Sequence, residues 1–197
     1  MLDHPRTIDA APVLLPVLVA FLLAIATPPV RRRAGLGGRR ATVLTLFVVY
    51  ALGVAAITIF PITVWPASHW AGEPWYTVIH PIPFQVDATS FVLNVVMTVP
   101  LGVLLPLLRR RADSPARIAG YAAWASLSIE SVQFVLGLVL NSRRTVDVND
   151  LIANTAGAVL GLMLLRLAVP SARRRAAIAD PAPADPAVTG SGAGTRR

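Results

Sequence analysis

The sequence contains no cysteine and no lysine, and it has few charged residues of either sign. The absence of cysteine excludes a disulfide framework, thiolate zinc sites, iron–sulfur clusters and a cysteine nucleophile. The only histidines are His4, His69 and His80, which argues against a histidine-rich metal site. Charged residues make up 14% of the chain, against about 25% in soluble domains. Because 55% of the residues are apolar, the chain has too little polar surface for a fold surrounded by water.

Long apolar runs are the main feature that is present. Crossing the hydrocarbon core of a bilayer takes about 20 apolar residues, and five runs reach that length. They predict an all-α, polytopic integral membrane bundle at residues 11–169, with spans at about 11–30, 41–65, 88–108, 118–140 and 149–169. Residues 1–10 are then a short external tail. The Ala-, Pro-, Gly- and Asp-rich residues 170–197 have the composition of a disordered tail.

The basic residues predict an orientation for this bundle. All 18 are arginine, and 14 of them fall between spans one and two, between spans three and four, or after span five. By the positive-inside rule this side is cytoplasmic, so the N-terminus lies outside and the C-terminus inside. The arginines flank membrane spans and do not gather on one folded face. Membrane lipids are therefore the predicted partners, and nucleic acid is not.

The first span has an alternative interpretation. Ala24-Ile25-Ala26 resembles a signal-peptidase site that follows an apolar segment. Asp3 and Asp9 before the segment, and the three arginines after it, argue against cleavage. A mature protein that begins at Thr27 would establish cleavage, and the sequence alone leaves this open.

Aromatic side chains gather in the loop between spans two and three, at residues 66–87, which has no arginine. Tryptophan and tyrosine beside a span are typical of the headgroup belt of the membrane. Stacking against a ligand is the alternative role. The residues concerned are Trp65, Trp70, Trp75, Tyr76 and Phe84.

Polar residues inside the last three spans recur at helical spacing. A carboxylate near the bilayer centre, as predicted for Glu130, costs at least ~2.5 kcal/mol on insertion scales. Steps of three and four residues place each set on one face of its helix, and Gly157 and Gly161 form a GxxxG motif. We expect the three faces to pack together. They comprise Ser90, Asn94, Thr98 and Gly102 in span three; Ser126, Glu130, Gln133 and Gly137 in span four; and Asp147, Asp150, Asn154, Gly157 and Gly161 in span five.

The charged members of these faces lie toward the outside, and only small residues lie toward the inside. This predicts a polar pocket that opens to the outer leaflet and is sealed below. Structural alternatives remain for each residue. Asp147 suits an N-cap with Asp150 at N3, Asn94 and Asn154 suit interhelical hydrogen bonds worth ~0.6 kcal/mol each, and Glu130 could pair with Arg143 or Arg144.

Three motifs give the chain a resemblance to a known family. They are Asn94-Val-Val-Met-Thr-Val-Pro-Leu-Gly102, Ser128-Ile-Glu-Ser-Val-Gln133 and Arg144-Thr-Val-Asp-Val-Asn-Asp-Leu-Ile-Ala-Asn-Thr-Ala-Gly157. In this order and spacing they resemble the VanZ-like membrane proteins, over about residues 79–167. At His80-Pro-Ile-Pro-Phe84 the family typically has Asn in place of His80. The resemblance implies a bacterial plasma-membrane protein, since the namesake is associated with resistance to the acylated glycopeptide teicoplanin.

Three functions remain open. The first is a cell-envelope protein that binds an amphiphile, such as a lipid-linked envelope precursor or a glycopeptide. The second is a membrane enzyme acting on a lipid-linked substrate, with Glu130 as general acid or base and Asp147 and Asp150 as weak candidates for a divalent cation. The third is a structural partner of another membrane protein. No cofactor is predicted, and the oligomeric state cannot be read from the sequence. The candidate binding residues are Asn94, Glu130, Gln133, Arg144, Asp147, Asp150 and Asn154.

Overall fold

The computed structural model describes residues 4–70, 72–85, 87–142 and 144–170, and most of them are helical. The predicted tail at 170–197 lies outside the described residues, apart from Pro170. The strands are β1 (Arg6–Ile8), β2 (Ile62–Val64), β3 (Ile79–His80) and β4 (Val146–Asp147). The α-helices are α1 (Ala10–Ala26), α2 (Pro28–Arg33), α3 (Gly38–Thr58), α4 (Ala88–Leu108), α5 (Pro115–Leu140) and α6 (Val148–Ala168).

Four of these helices, α3 to α6, are long and apolar enough to cross a membrane. The prediction of an all-α membrane bundle is therefore confirmed. The first predicted span corresponds to α1, a shorter apolar helix of 17 residues. The second predicted span extends to residue 65, whereas α3 ends at Thr58. Pro61 explains this end, because proline has no N–H and disfavours helical geometry in the residue before it.

The segment after α3 returns to the start of the chain. Ile62–Val64 forms β2, which pairs antiparallel with β1, so that Ile8 lies opposite Ile62. The N-terminal residues 6–8 are thus held beside the end of α3. The apolar residues of β2 explain why the predicted span extended to residue 65. Their composition is that of a membrane span, although their backbone is extended.

Small residues bring α4 and α6 into close contact. A Cβ atom added at Gly102 would overlap the carbonyl oxygen of Ala158, and one added at Gly161 would overlap that of Val99. Gly157 is equally close to the backbone of α4. Such backbone proximity is what a GxxxG motif permits. The predicted packing of the small and polar faces of spans three and five is confirmed.

The N-terminus of α6 does not lie level with the C-terminus of α5. Asn141 ends α5 in the left-handed conformation, with φ 53°, which asparagine tolerates at this position. Asp147 then lies back along α5, because its backbone N–H contacts Glu130. Glu130 is ten residues before Leu140, which at 1.5 Å per residue is about 15 Å. The polar start of α6 is thereby inserted beside α4 and α5.

The same arithmetic places Glu130 relative to the opposite end. It lies fifteen residues after Pro115, or about 22 Å along the helix. Asn94 lies fourteen residues before Leu108, or about 21 Å. Glu130 therefore lies near the middle of α5, as predicted, and Asn94 lies about one helical turn from the middle of α4, on the side remote from the arginine-rich loops. At the arginine-rich end, Arg166 pairs with Asp113 at 3.2 Å.

Candidate functional site

Four polar side chains from α4, α5 and the start of α6 meet at one place, and we call them the carboxyl cluster: Asn94, Glu130, Asp147 and Asp150. Asn94 Nδ2 donates a hydrogen bond to Asp150 Oδ1. The carboxyl group of Asp150 lies close to that of Glu130. Glu130 Oε2 accepts the backbone N–H of Asp147 over 3.3 Å. The structure thus brings together Asn94, Glu130, Asp147 and Asp150, and Glu130 is only 7% exposed.

Helix capping explains why this cluster forms at the start of α6. Asp147 is the N-cap, and its Oδ1 accepts the N–H of Asn149 at 2.8 Å. A carboxylate in this position satisfies a free N–H group and interacts favourably with the helix dipole. In a capping box, the N3 side chain would take the N–H of the N-cap residue. Here Glu130 of α5 accepts the hydrogen bond from the N–H of Asp147, and the N3 residue Asp150 instead accepts one from Asn94.

One helical turn closer to the arginine-rich end, a second polar contact joins α5 to α6. Asn154 Nδ2 donates to Ser126 Oγ at 2.9 Å, and Asn154 is 7% exposed. Its Oδ1 has no hydrogen-bond partner within the described part of the chain. Asn154 and Ser126 also line a mostly apolar cavity of about 200 Å³ between the helices. The role of Asn154 as an interhelical contact is supported by this geometry.

Gln133 and Arg144 lie apart from the carboxyl cluster, at the C-terminal end of α3. Arg144 donates to the carbonyl oxygens of Thr58 at 3.0 Å, Ile59 at 3.0 Å and Pro61 at 2.7 Å. Gln133 Nε2 donates to the Thr58 carbonyl at 2.7 Å. The last carbonyls of a helix lack intrahelical partners, and a cation there is favoured by the helix dipole.

This arrangement replaces one of the expected pairings. The hydrogen bonds of Arg144 go to backbone carbonyls and not to Glu130, while Arg143 lies outside the described residues. Partial burial lowers the pKa of Arg144 from its usual value. The three carbonyl acceptors meet the requirement that a partly buried cation be hydrogen-bonded.

Arg144 also lines a cavity of about 180 Å³ beside α5, which we call the aromatic cavity. Trp70 Nε1 donates to the Asn141 carbonyl at 3.1 Å. The rings of Trp75 and Phe134 meet edge to face, with 6.1 Å between centroids. The predicted aromatic loop therefore folds against the end of α5. The aromatic cavity is lined by Trp70, Glu73, Trp75, Val78, Phe134, Gly137, Leu138, Asn141 and Arg144.

The sequence analysis did not single out Asn149, which is completely buried. Its Oδ1 accepts the N–H of Phe84 at 2.6 Å, and its Nδ2 donates to the Ile82 carbonyl at 3.2 Å. Asn149 thereby fixes the Pro-rich segment that follows β3. Asn149 lies between Asp147 and Asp150 in the third motif, and this position could have indicated its importance. It was missed because Asn149 does not lie on the helical face on which the prediction was based.

His80 lies beside the carboxyl cluster. β3 and β4 pair in parallel with His80 opposite Asp147, and His80 Nδ1 is 4.0 Å from Asp147 Oδ2. No group of three or more His, Asp or Glu residues in the described ranges is arranged to hold a metal ion. Asp147 and Asp150 thus gain no support as metal ligands.

The order of the three motifs and the helices that carry them agree with a comparison to protein families. The model of the VanZ/LLP1 family matches residues 47–169, more than half of the chain. The chain belongs to the VanZ/LLP1 family. The match begins within α3, so it includes residues 47–65 of the second predicted span, which the resemblance from motifs alone did not cover. No curated protein and no solved structure matches the chain significantly.

The VanZ/LLP1 region contains all the residues of the carboxyl cluster and of the aromatic cavity. Its helices α4, α5 and α6 supply the carboxyl cluster, and the end of α3 supplies the carbonyls bound by Arg144. β1 and α1, which precede the region, contribute no side chain to the carboxyl cluster or to the lining of the aromatic cavity.

Proposed function

We propose that this VanZ/LLP1 protein binds the polar headgroup of an amphiphile in the aromatic cavity, in a cell-envelope role at the outer leaflet. The observation that carries the proposal is the lining of that cavity. Trp70, Trp75 and Phe134 offer flat apolar faces, while Glu73, Asn141 and Arg144 offer polar groups. A small set of polar groups among aromatic walls is typical of ligand pockets.

The position of the cavity supports an amphiphile over a water-soluble ligand. α5 begins at Pro115, next to the arginine-rich loop, and Asn141 at its other end lines the cavity. The cavity therefore lies at the end remote from the arginine-rich loops, where we expect headgroups to meet water. Val135, Leu138 and Val139 on the same helix are exposed. An acyl chain could follow this apolar surface while its headgroup occupied the cavity.

In this proposal the carboxyl cluster has a supporting role. It fixes Asp147 against α5 through the contact with Glu130. Because Arg144 is three residues before Asp147, this contact also sets the position of Arg144 beside the aromatic cavity. Three of the five N–H groups of Arg144 bind carbonyls. The remaining N–H groups are then available to a headgroup. The family link to teicoplanin, an acylated glycopeptide, makes this compound a suitable first probe.

The test is a fluorescence titration of the purified full chain with teicoplanin. Trp124 is 72% exposed and lies outside the cavity, so the change Trp124→Phe is made first to remove its background emission. Saturable changes in the emission of the remaining tryptophans are expected. Adding Gly137→Leu, which places a side chain in the cavity, should abolish them. Leu160→Ala, on an exposed face of α6, is the control and should leave the titration unchanged. A signal that Gly137→Leu does not reduce would contradict binding in this cavity.

A second candidate function is a membrane enzyme, and one observation favours it. The carboxyl groups of Glu130 and Asp150 lie close together, as in sites where one carboxyl group acts as acid and its neighbour as base. In cells that carry the chain, Glu130→Gln at normal membrane levels separates the two functions. Full loss of a teicoplanin-susceptibility phenotype would favour the enzyme, whereas a retained phenotype favours the binding protein.

A further inference from the structure

A second cleft lies at the opposite, arginine-rich end of the protein, and we call it the arginine cleft. It has a volume of about 450 Å³. It lies between the end of α1, α2 and the first turns of α3. Its lining consists of Ile25, Arg31, Gly38, Ala41, Thr42, Thr45 and Leu46.

Among the described residues, no carboxylate pairs with the guanidinium group in this cleft. Arg31 Nε has no contact with solvent and no hydrogen-bond partner among the described residues. A buried donor without an acceptor costs about 1–3 kcal/mol, and more for a charged group. The hydroxyl hydrogens of the cleft are already used, because Thr42 donates to the Gly38 carbonyl and Thr45 to that of Ala41.

The surroundings of Arg31 add positive charge. An added Cβ at Gly38 would lie 3.8 Å from Arg31 Nη2, so the guanidinium lies at the N-terminus of α3, which no side chain caps. A helix N-terminus favours anions and disfavours cations. The sequence from residue 10 to residue 72 contains five arginines and no aspartate or glutamate. Nothing in this part of the chain can neutralise the cleft.

We propose that the arginine cleft binds the phosphate of an anionic membrane lipid, with Arg31 as its principal contact. A phosphate in the cleft would accept, from the terminal N–H groups of Arg31, the strong charge-assisted hydrogen bonds that guanidinium groups form with phosphates. Basic pockets between helices on the cytoplasmic side are suited to anionic headgroups. The apolar Ile25 and Leu46 at the cleft suit the glycerol and acyl part of a lipid more than a free phosphate ion.

The experiment measures binding of short-chain phosphatidylglycerol to the full chain in a neutral detergent, by native mass spectrometry and by the shift in Tm. Phosphatidylcholine, which has a phosphate but no net charge, is the zwitterionic comparison, and inorganic phosphate is the soluble one. Phosphatidylglycerol should bind and raise Tm, and the other two should not. Equal stabilisation by inorganic phosphate would overturn the lipid assignment, and equal stabilisation by phosphatidylcholine would overturn the requirement for an anionic headgroup.

Three variants separate a specific site from the general attraction of a basic surface. Arg31→Gln and the control Arg32→Gln remove the same charge from the same helix, but only Arg31 lines the cleft. Arg31→Gln should weaken binding of phosphatidylglycerol about tenfold more than Arg32→Gln does, as expected for loss of a charge-assisted hydrogen bond. Gly38→Leu leaves the charge unchanged and fills the cleft, so it should also abolish binding. Equal losses in the two arginine variants, or normal binding by Gly38→Leu, would overturn the proposal.

Discussion

Glu130 of α5 accepts the backbone N–H of Asp147, the residue that caps α6, with 3.3 Å between Asp147 N and Glu130 Oε2. One helix thereby completes the cap of the next. The N–H groups at the start of a helix have no intrahelical partners, and inside a membrane an unsatisfied polar group is costly. The buried carboxyl group of Glu130 therefore has a structural reason to be present. It allows α6 to begin below the end of α5.

Two substitutions of Glu130 should differ strongly in stability. A glutamine side chain would keep an acceptor for Asp147 and could donate to Asp150, so Glu130→Gln should change the free energy of unfolding by less than about 1 kcal/mol. Glu130→Leu removes both contacts and should destabilise by about 2–4 kcal/mol. Thermal unfolding of both variants in the same detergent checks this. Similar stability of the two would show that the carboxyl cluster does not hold α6 in place.

Glycine at position 161 should be essential for packing. An added Cβ would overlap the Val99 carbonyl of α4, so Gly161→Ala should cost about 1–3 kcal/mol or prevent folding. Gly120→Ala in α5 is the matched control, since a Cβ there meets nothing within 4 Å. It should be neutral or slightly stabilising, because alanine is the better helix former. Urea unfolding curves compare the two, and equal effects would contradict the close approach of α4 and α6.

The fork-shaped side chain of Arg144 should be needed to hold the end of α3. Arg144→Lys keeps the charge but cannot reach three carbonyls in the same geometry. We expect a loss of about 3 kcal/mol in the free energy of unfolding and faster proteolysis near Thr58. The exposed Arg117 on α5 provides the control Arg117→Lys, which should have no effect. If lysine serves equally well at 144, the three hydrogen bonds contribute little to stability.

The predicted orientation can be tested with single cysteines, because the chain has none of its own. Phe84 is 77% exposed near the carboxyl cluster, and Ala34 is exposed in the arginine-rich loop. In intact cells an impermeant maleimide should label Phe84→Cys, and should label Ala34→Cys only after permeabilisation. The reverse pattern would show that the positive-inside rule gives the wrong orientation here.

The sequence predicted the contacts made by helix faces better than those made by individual side chains. Ser126 with Asn154, Asn94 with Asp150, and the glycines of α6 follow from helical periodicity, which fixes which residues share a face. Arg144 did not follow, because its partners are backbone carbonyls of Thr58, Ile59 and Pro61. Every residue has a backbone carbonyl, so the residue types in a sequence do not show which carbonyls will accept a hydrogen bond from a distant side chain.

The level of α6 along the bundle, relative to α5, also could not be predicted from the sequence. Apolar runs give the length of a span and not its level relative to its neighbours. The contact of Asp147 with Glu130 shows that the start of α6 lies back along α5. Asn149 was missed for a related reason, since it binds the backbone of residues 82 and 84 in a loop. Contacts of this kind depend on tertiary placement.

The most direct test of amphiphile binding in the aromatic cavity is photo-crosslinking in native membranes. Benzoylphenylalanine at position 134 would replace a ring that lines the cavity, while at position 135 it would replace the exposed Val135 on the same helix. Mass spectrometry of the adducts should show one discrete amphiphile at 134 and the general mixture of membrane phospholipids at 135. The same phospholipid mixture at both positions, or no adduct at 134, would contradict the proposed binding site.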